Sequence, residues 1–362
     1  MIYLAYIVLV FTVLQLLITI VNLLFKQKPV KSKISRSKLV SVLIPARNEE
    51  KNIVNLISNL QRQDYHNIEI IVFDDQSTDK TAEIVSELSK GDTRIQLIRS
   101  GGLPSGWLGK NYACHKLSEQ AKGFYYLFLD ADVSLKKDII SAAIAYTEKY
   151  QLGLLSVFPV QEMGSTGERI TVPLMNYILL SLLPLILVRK SRYPSLAAAN
   201  GQFMLFHSAI YNNIHPHVKM KNNRVEDIAI ARYYKMNKIR IACLTSYNTL
   251  KCKMYENFSE AVNGFSKNII AYFGNSFPAA LIFWVITTFG FLSVLFSFPL
   301  YIFFFYLLSI MLIRIITSCI SRQNVLINLI FMIPQQLVMG LILWKALIQQ
   351  IRNQYEWKGR YV

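Results

Sequence analysis

Apolar residues follow two patterns along this chain: long unbroken runs near its ends, and short runs between them that alternate with helically spaced positions. Met1 to Phe25 carries no charged side chain, and only scattered Thr, Gln and Asn interrupt it. That length crosses a bilayer. A basic leading region and a small-residue cleavage site are both missing, so residues 1–25 read as an uncleaved anchor. Lys26, Lys28, Lys31, Lys33, Arg36 and Lys38 follow, in a basic linker over 26–38. The positive-inside rule then puts this flank in the cytoplasm and the N-terminus outside. Phe277–Phe296, Pro299–Ile320 and Val325–Ile348 form a second apolar region over 277–348. Arg314 stands where it can snorkel, whereas Pro334-Gln335-Gln336 suggests a re-entrant or protein-lined piece. A re-entrant fourth segment would return the basic, aromatic tail, 349–362, to the cytoplasmic side. Ile170–Val188, with Pro173 and Pro184 inside it, reads as an interfacial stretch beside Arg189, Lys190 and Arg192.

Between these regions, over 39–273, strand and helix patterns alternate, which predicts an α/β domain with a mostly parallel central sheet. Leu39–Ile44 is the first predicted strand, halted by Pro45. Glu49 to Gln63 carries Ile53, Leu56, Ile57 and Leu60 at helical spacing. Ile68–Phe73 is a second strand, followed by N-cap candidates at Ser77-Thr78-Asp79 for a helix from Thr81 to Leu88. Ile95–Ile98 and Phe124–Leu129 are further strands.

Polar residues close each of the main strands: Arg47-Asn48-Glu49, then Asp74-Asp75, then Asp130 and Asp132. In an open parallel sheet, ligands sit beyond the carboxyl ends of the strands, so these clusters are expected to share one crevice. Asp130 and Asp132, at i and i+2 of an extended segment, leave on one face and suit a hard divalent cation, Mg²⁺ or Mn²⁺, shared with substrate phosphates. The plainer alternative is that Asp132 caps a helix starting near Ser134. Glu226-Asp227, just before the helical run Ile228–Lys235, offers a general base. It equally fits an acidic first turn favoured by the helix dipole. No G-x-G-x-x-G follows the first strand and no G-x-x-x-x-G-K-[ST] loop occurs, which disfavours dinucleotides and P-loop chemistry.

The net charge of +17 raises nucleic acid as a partner. The basic residues gather beside apolar segments instead, so an anionic membrane surface explains them and nucleic acid is not expected. Cys114, Cys243, Cys252 and Cys319 lack metal-ligand spacing and any disulfide framework.

Val42-Leu43-Ile44-Pro45-Ala46-Arg47-Asn48-Glu49-Glu50, Val72-Phe73-Asp74-Asp75-Gln76-Ser77-Thr78-Asp79, Asp130-Ala131-Asp132 and Val225-Glu226-Asp227, taken in this order and spacing, resemble family 2 glycosyltransferases of the GT-A fold. Gly106 to Cys114, Asn200-Gly201-Gln202-Phe203 and the tail from Glu356 to Tyr361 resemble its membrane-anchored, carotenoid- and hopanoid-associated branch. The resemblance implies inverting transfer from a UDP-sugar, with glucose the expected sugar, to a lipophilic acceptor such as a carotenoid carboxylate or hydroxyl. By the same resemblance Pro45, Arg47 and Glu49 border the nucleotide, Asp75 holds the uridine, and Asp130 contacts ribose or diphosphate. Asp132 is the implied metal ligand, Asp227 the base, Glu226 its orienting neighbour and Lys110 a diphosphate contact. Gln202, Trp357 and Arg360 are implied contacts to acceptor or diphosphate. Where relatives commonly place Gly-Gly-His, this chain has Asn213-Ile214-His215-Pro216-His217. Two other readings stand beside this one: a polyprenyl-phosphate or glycolipid transferase of the same fold, and a non-catalytic membrane scaffold.

Overall fold

The computed structural model describes residues 1–29 and 37–352, together with the backbone of 356–357 and 360–361. Ten strands build the two sheets of the central domain: β1 (Val40–Ala46), β2 (Ile68–Asp74), β3 (Ile95–Arg99), β4 (Tyr125–Leu129), β5 (Val133–Leu135), β6 (Leu154–Phe158), β7 (Val160–Gln161), β8 (Phe203–His207), β9 (Ile241–Thr245) and β10 (Leu250–Cys252). Seven of them form the main sheet, in the order β3-β2-β1-β4-β8-β6-β9. All pairings are parallel except those of β8, which runs against both β4 and β6. β5, β10 and β7 make a small sheet beside it.

The strands are apolar on both faces because helices cover both. On one side, Val40, Val42 and Ile44 of β1 and Tyr125, Leu127 and Leu129 of β4 pack on α2 (Ile53–Gln61), α3 (Thr81–Gly91) and α5 (Ile139–Tyr150). Leu43, Tyr126 and Phe128, at the alternate positions, face α4 (Gly109–Gln120) and the helices that follow. Pro45 does not halt β1, which runs on to Ala46. The ladder with β4 ends at Leu43, while Ala46 accepts from the Asp75 N–H on the β2 side. N–H groups alternate sides along a strand, so the donor that Pro45 lacks would have pointed to the side where pairing had already stopped.

The apolar stretch after β7 folds as α6 (Thr166–Thr171), α7 (Pro173–Leu182) and α8 (Leu185–Lys190). Leu174, Met175, Tyr177, Ile178 and Leu180 are buried in the protein, which leaves Lys190 and Arg192 as the exposed part of this region. After β8 come α9 (Ser208–Ile214), α10 (Pro216–Lys219), α11 (Glu226–Met236) and, past β10, α12 (Phe258–Tyr272). His217 is buried against Phe128, and its Nδ1 lies 2.7 Å from the Tyr211 hydroxyl. Burial pushes its imidazole down to about 3, so it is a neutral core residue.

Among the described residues, three helices are long and apolar enough to cross a membrane: α1 (Ile2–Leu24), α13 (Phe277–Ser297) and α14 (Leu300–Ser321). The polar residues scattered through α1 turn out to share a face. Thr12, Gln15, Thr19 and Asn22 point inward and Leu4, Ile7, Leu14 and Leu17 outward, an inside-out amphipathicity suited to lipid. Each inward group is satisfied. Gln15 donates to Ser181 Oγ at 3.0 Å, and Asn22 donates to the carbonyls of Leu180 and Leu183, both at 2.9 Å, while accepting from the Leu185 N–H at 2.7 Å.

The fourth apolar segment is broken at Phe331 into α15 (Val325–Ile330) and α16 (Met332–Arg352). Pro334 stands in the first turn of α16, where a backbone N–H has no intrahelical partner to lose. Gln335 and Gln336 are buried: Gln335 accepts from Arg314 at 3.0 Å and donates to the Arg169 carbonyl at 3.0 Å, and the Gln336 carbonyl accepts from Trp284 at 2.8 Å. Arg314 therefore does not snorkel. It is buried over the Tyr177 ring at 3.7 Å because Gln335 reaches it from α16. Residues Glu356–Trp357 and Arg360–Tyr361 pair as two short antiparallel strands. The Trp357 and Arg360 side chains, expected near the site, lie outside the described residues.

Asn22→Leu should destabilise the detergent-solubilised protein by about 1–3 kcal/mol, because it strands a buried N–H and two carbonyls. Leu14→Ala, on the outward face, should leave the thermal midpoint nearly unchanged.

Candidate active site

The crevice starts where β1 and β2 end. Asn48 and Gln76, the residues that turn the chain away from these strands, both have φ of 55°. The two turns are laced together: Asn48 Oδ1 accepts from the Thr78 N–H at 2.8 Å, and the Asn48 N–H donates to Ser77 Oγ at 2.9 Å. Arg47 Nη1 donates to the carbonyls of Asp75 and Gln76, at 2.7 and 3.2 Å. Pro45, Arg47, Glu49, Asp75, Asp130 and Asp132 line one cavity of about 170 Å³, with Lys110 on its far wall.

Lys110 stands in the first turn of α4. Its Nζ lies 2.8 Å from Asp130 Oδ1 and 3.3 Å from Glu226 Oε1, so a single cation joins the end of β4 to the start of α11. Burial disfavours the charge, but Asp130 and Glu226 outweigh it and hold the ammonium well above its usual range. On the other side of Lys110 a second cavity, of about 370 Å³, brings in Gly201, Gln202, Glu226, Asp227 and Tyr255 and shares Asp130 and Asp132 with the first. The three strand-end clusters and the Glu226-Asp227 pair thus line one continuous crevice.

Asp227 is fixed by two backbone donors, Gly201 N–H to Oδ2 at 2.9 Å and Ile228 N–H to Oδ1 at 2.7 Å. Burial, and then the charge of Glu226, raises its carboxyl to about 7. Both residues form the first turn of α11, as the helix-dipole reading expects, and both line the second cavity. Asp132 does not cap a helix, because β5 begins at Val133. Burial, with the charges of Asp130 and Glu49, raises its carboxyl to about 7 as well. Its Oδ1 is buried without a hydrogen-bond partner, in a region where carboxylates outnumber Lys110. No group of three or more metal-ligating side chains occurs among the described residues. The fit is therefore to a cation that takes one or two protein carboxylates and completes its shell from phosphates and water.

Several residues in and behind the crevice wall were not visible in the sequence. Cys252, on β10, touches the Asp132 carboxylate and accepts from Gln202 Nε2 at 2.6 Å; burial and the Asp132 charge keep it a thiol. Gln202 thus spends its amide on Cys252 and on Gln161, at 3.4 Å. Arg224, Tyr255, Lys267 and Asn268 close the second cavity. Gly264 of α12 admits the Tyr255 ring, since a Cβ there would lie 2.1 Å from the phenol oxygen. Only Arg224, two residues before the acidic pair, carried a signal, as a charge beside a motif.

A largely parallel sheet with one reversed strand, acidic strand ends and an opposed carboxylate pair define a GT-A nucleotide-sugar fold. Residues 41–214 match the model of glycosyl transferase family 2. Among curated relatives, the 4,4'-diaponeurosporenoate glycosyltransferase of Staphylococcus haemolyticus (strain JCSC1435) is 26% identical, over 64% of this chain and 60% of its own length. The protein of that name from Staphylococcus aureus (strain MRSA252) is 27% identical, over 68% of this chain and 66% of its own length. The match thus spans less than two thirds of either relative. The mannosyltransferase PcManGT from Pyrobaculum calidifontis, solved in complex with GDP-Man and Mn²⁺, shares the fold with a TM-score of 0.58 at 14% identity, over 97% of this chain and 99% of that one.

A Cβ on Gly201 would sit 3.0 Å from Lys110 Nζ and 3.4 Å from Glu226 Oε1. The lysine end can shift, so Gly201→Ala should fold with a near-normal thermal midpoint. It should lose about 10-fold or more in nucleotide-sugar turnover, because the charges it displaces are those that pre-organise the site.

Proposed function

We propose that this chain is an inverting glycosyltransferase that moves a sugar, glucose in the first instance, from a UDP-sugar to a lipophilic acceptor at the cytoplasmic membrane surface. The observation that carries the reading is the Lys110 junction, which sets an acidic cavity at the strand ends and a carboxyl raised to about 7 on opposite sides of one crevice. On this reading Pro45, Arg47, Glu49 and Asp75 border the nucleotide, and Lys110 with Asp130 faces the diphosphate. An acceptor oxygen attacks the anomeric carbon, the bond to the diphosphate oxygen breaks, and its electron pair leaves with UDP. Asp227 takes the proton when the acceptor is a hydroxyl; a carboxylate acceptor has none to give. Glu226 raises the basicity of Asp227 and keeps Lys110 charged. Asp132 would hold Mg²⁺ or Mn²⁺, which when bound neutralises the diphosphate and stabilises the departing charge.

The membrane setting is supported by the three long apolar helices and by an exposed apolar stripe on α16, formed by Ile333, Leu337, Leu341 and Trp344. The ends of α1 and α14 meet at Lys26 and Arg322, a basic rim that favours the cytoplasmic side. The names of the two staphylococcal relatives favour a carotenoid acid as acceptor.

UDP release from purified protein given UDP-glucose and Mn²⁺ or Mg²⁺, with a C30 carotenoid acid, a carotenoid alcohol or a polyprenyl phosphate, tests the reading. With the alcohol, Asp227→Asn should cost about 10²–10⁴-fold. With the carotenoid acid the loss should be much smaller. A base must be ionised to act, so wild-type turnover of the alcohol should rise with pH through about 7 and fall below it. Release with the polyprenyl phosphate alone would move the protein to envelope-glycan synthesis, and release with none of the three acceptors would contradict the proposal.

A further inference from the structure

Behind Asp227 lies a third cavity, of about 180 Å³, that shares Met175, Asn200, Asp227 and Tyr272 with the catalytic crevice. Its remaining wall is almost wholly apolar, drawn from Ile178, Leu179 and Leu182 of α7, the Ala197–Ala199 segment and Ile228 of α11. Asp227 is the one acid in that wall and Arg232 the one cation. Arg232, half-buried, donates to the Ala271 carbonyl at 3.4 Å and has no carboxylate partner among the described residues. A cation left without a counter-charge in an apolar wall suits an anionic ligand group.

Both sides of the cavity are tied to the level at which the chain leaves the membrane. Asn22, two residues before the end of α1, holds the carbonyls of Leu180 and Leu183. Tyr272 ends α12, and the membrane-spanning α13 starts at Phe277. The outer wall is braced from inside: buried Lys235 donates to the Leu196 carbonyl at 2.9 Å and to those of Leu187 and Tyr193 at 3.4 Å.

We infer that this cavity is the acceptor site, taking the apolar chain of an anionic amphipathic lipid from the bilayer edge, with Arg232 holding its carboxylate or phosphate beside Asp227. The inference rests on the transferase reading above and adds the acceptor's charge and the residues that select it. Ile178, Leu182 and Ala198 read the chain, whereas Arg232 reads the head.

Binding of all-trans retinoic acid and of farnesyl phosphate to the full-length protein in detergent, followed by tryptophan quenching, tests the site without any donor. Retinol and farnesol are the neutral controls. Ala198→Trp should weaken both acids at least about 10-fold, some 1.4 kcal/mol or more, with UDP affinity unchanged. Arg232→Gln should weaken the acids and spare the alcohols, and the preferred acid tells carboxylate from phosphate. Undiminished binding of both acids to Ala198→Trp would overturn the site, and equal losses for acid and alcohol in Arg232→Gln would overturn the charge role. Were Ala198→Trp to lose UDP binding as well, photolabelling of the wild type with a diazirine fatty acid decides: labels in 178–183 or 195–199 support the cavity, and labels only elsewhere refute it. Because no sugar moves in this assay, a protein that binds these acids here yet never releases UDP would refute the transferase reading and keep the site.

Discussion

One half-buried cation organises this protein. Lys110 sits between Asp130, at the end of a central strand, and Glu226, at the start of a helix almost a hundred residues further along the chain. Without it, Asp130 and Glu226 would lose the cation they share while Asp132 and Asp227 stand beside them, and burial multiplies that cost. With it, the acids divide. Asp130 and Glu226 remain paired, while Asp132 and Asp227 keep raised affinities for positive charge on either side. On the proposed reading a cation suits the first and an acceptor proton the second, the division of labour that a displacement at an anomeric carbon requires.

The membrane part obeys the opposite logic from the sheet. The sheet buries apolar side chains on both faces, whereas α1 buries its polar ones and leaves its apolar surface for lipid. Asn22 and Gln15 then do more than satisfy themselves, because they bond α7, which is also a wall of the catalytic domain. The same joint therefore fixes the cavity behind Asp227 relative to the outward apolar face of α1. Gln335 has a parallel role for α16, taking up Arg314 so that the chain turns back along the protein.

Legibility followed the range of the interactions involved. β1, β2 and β4, with the acids that close them, were readable because each is a local apolar run with a polar stop; β6, β8 and β9 were not singled out. β8 is reversed between two neighbours, a matter of topology that no local pattern encodes. Arg47, Glu49, Asp75, Asp130 and Asp132 converge as the strand ends implied. Cys252, Tyr255 and Arg232 come from segments without a motif and owe their places to packing alone. Pro45 erred in the opposite sense: a strand breaker was tolerated where the ladder had already parted. Arg314 was misjudged because its partner, Gln335, belongs to another helix.

Calorimetric titration of UDP into the wild type and Asp132→Asn, each with and without Mn²⁺, bears most directly on the central claim that the acidic cavity beside Lys110 is a metal-assisted nucleotide site. The account predicts wild-type binding that tightens about 10-fold or more with Mn²⁺, and an Asp132→Asn protein that folds normally but loses that gain. UDP affinity indifferent to both Mn²⁺ and the substitution would contradict it.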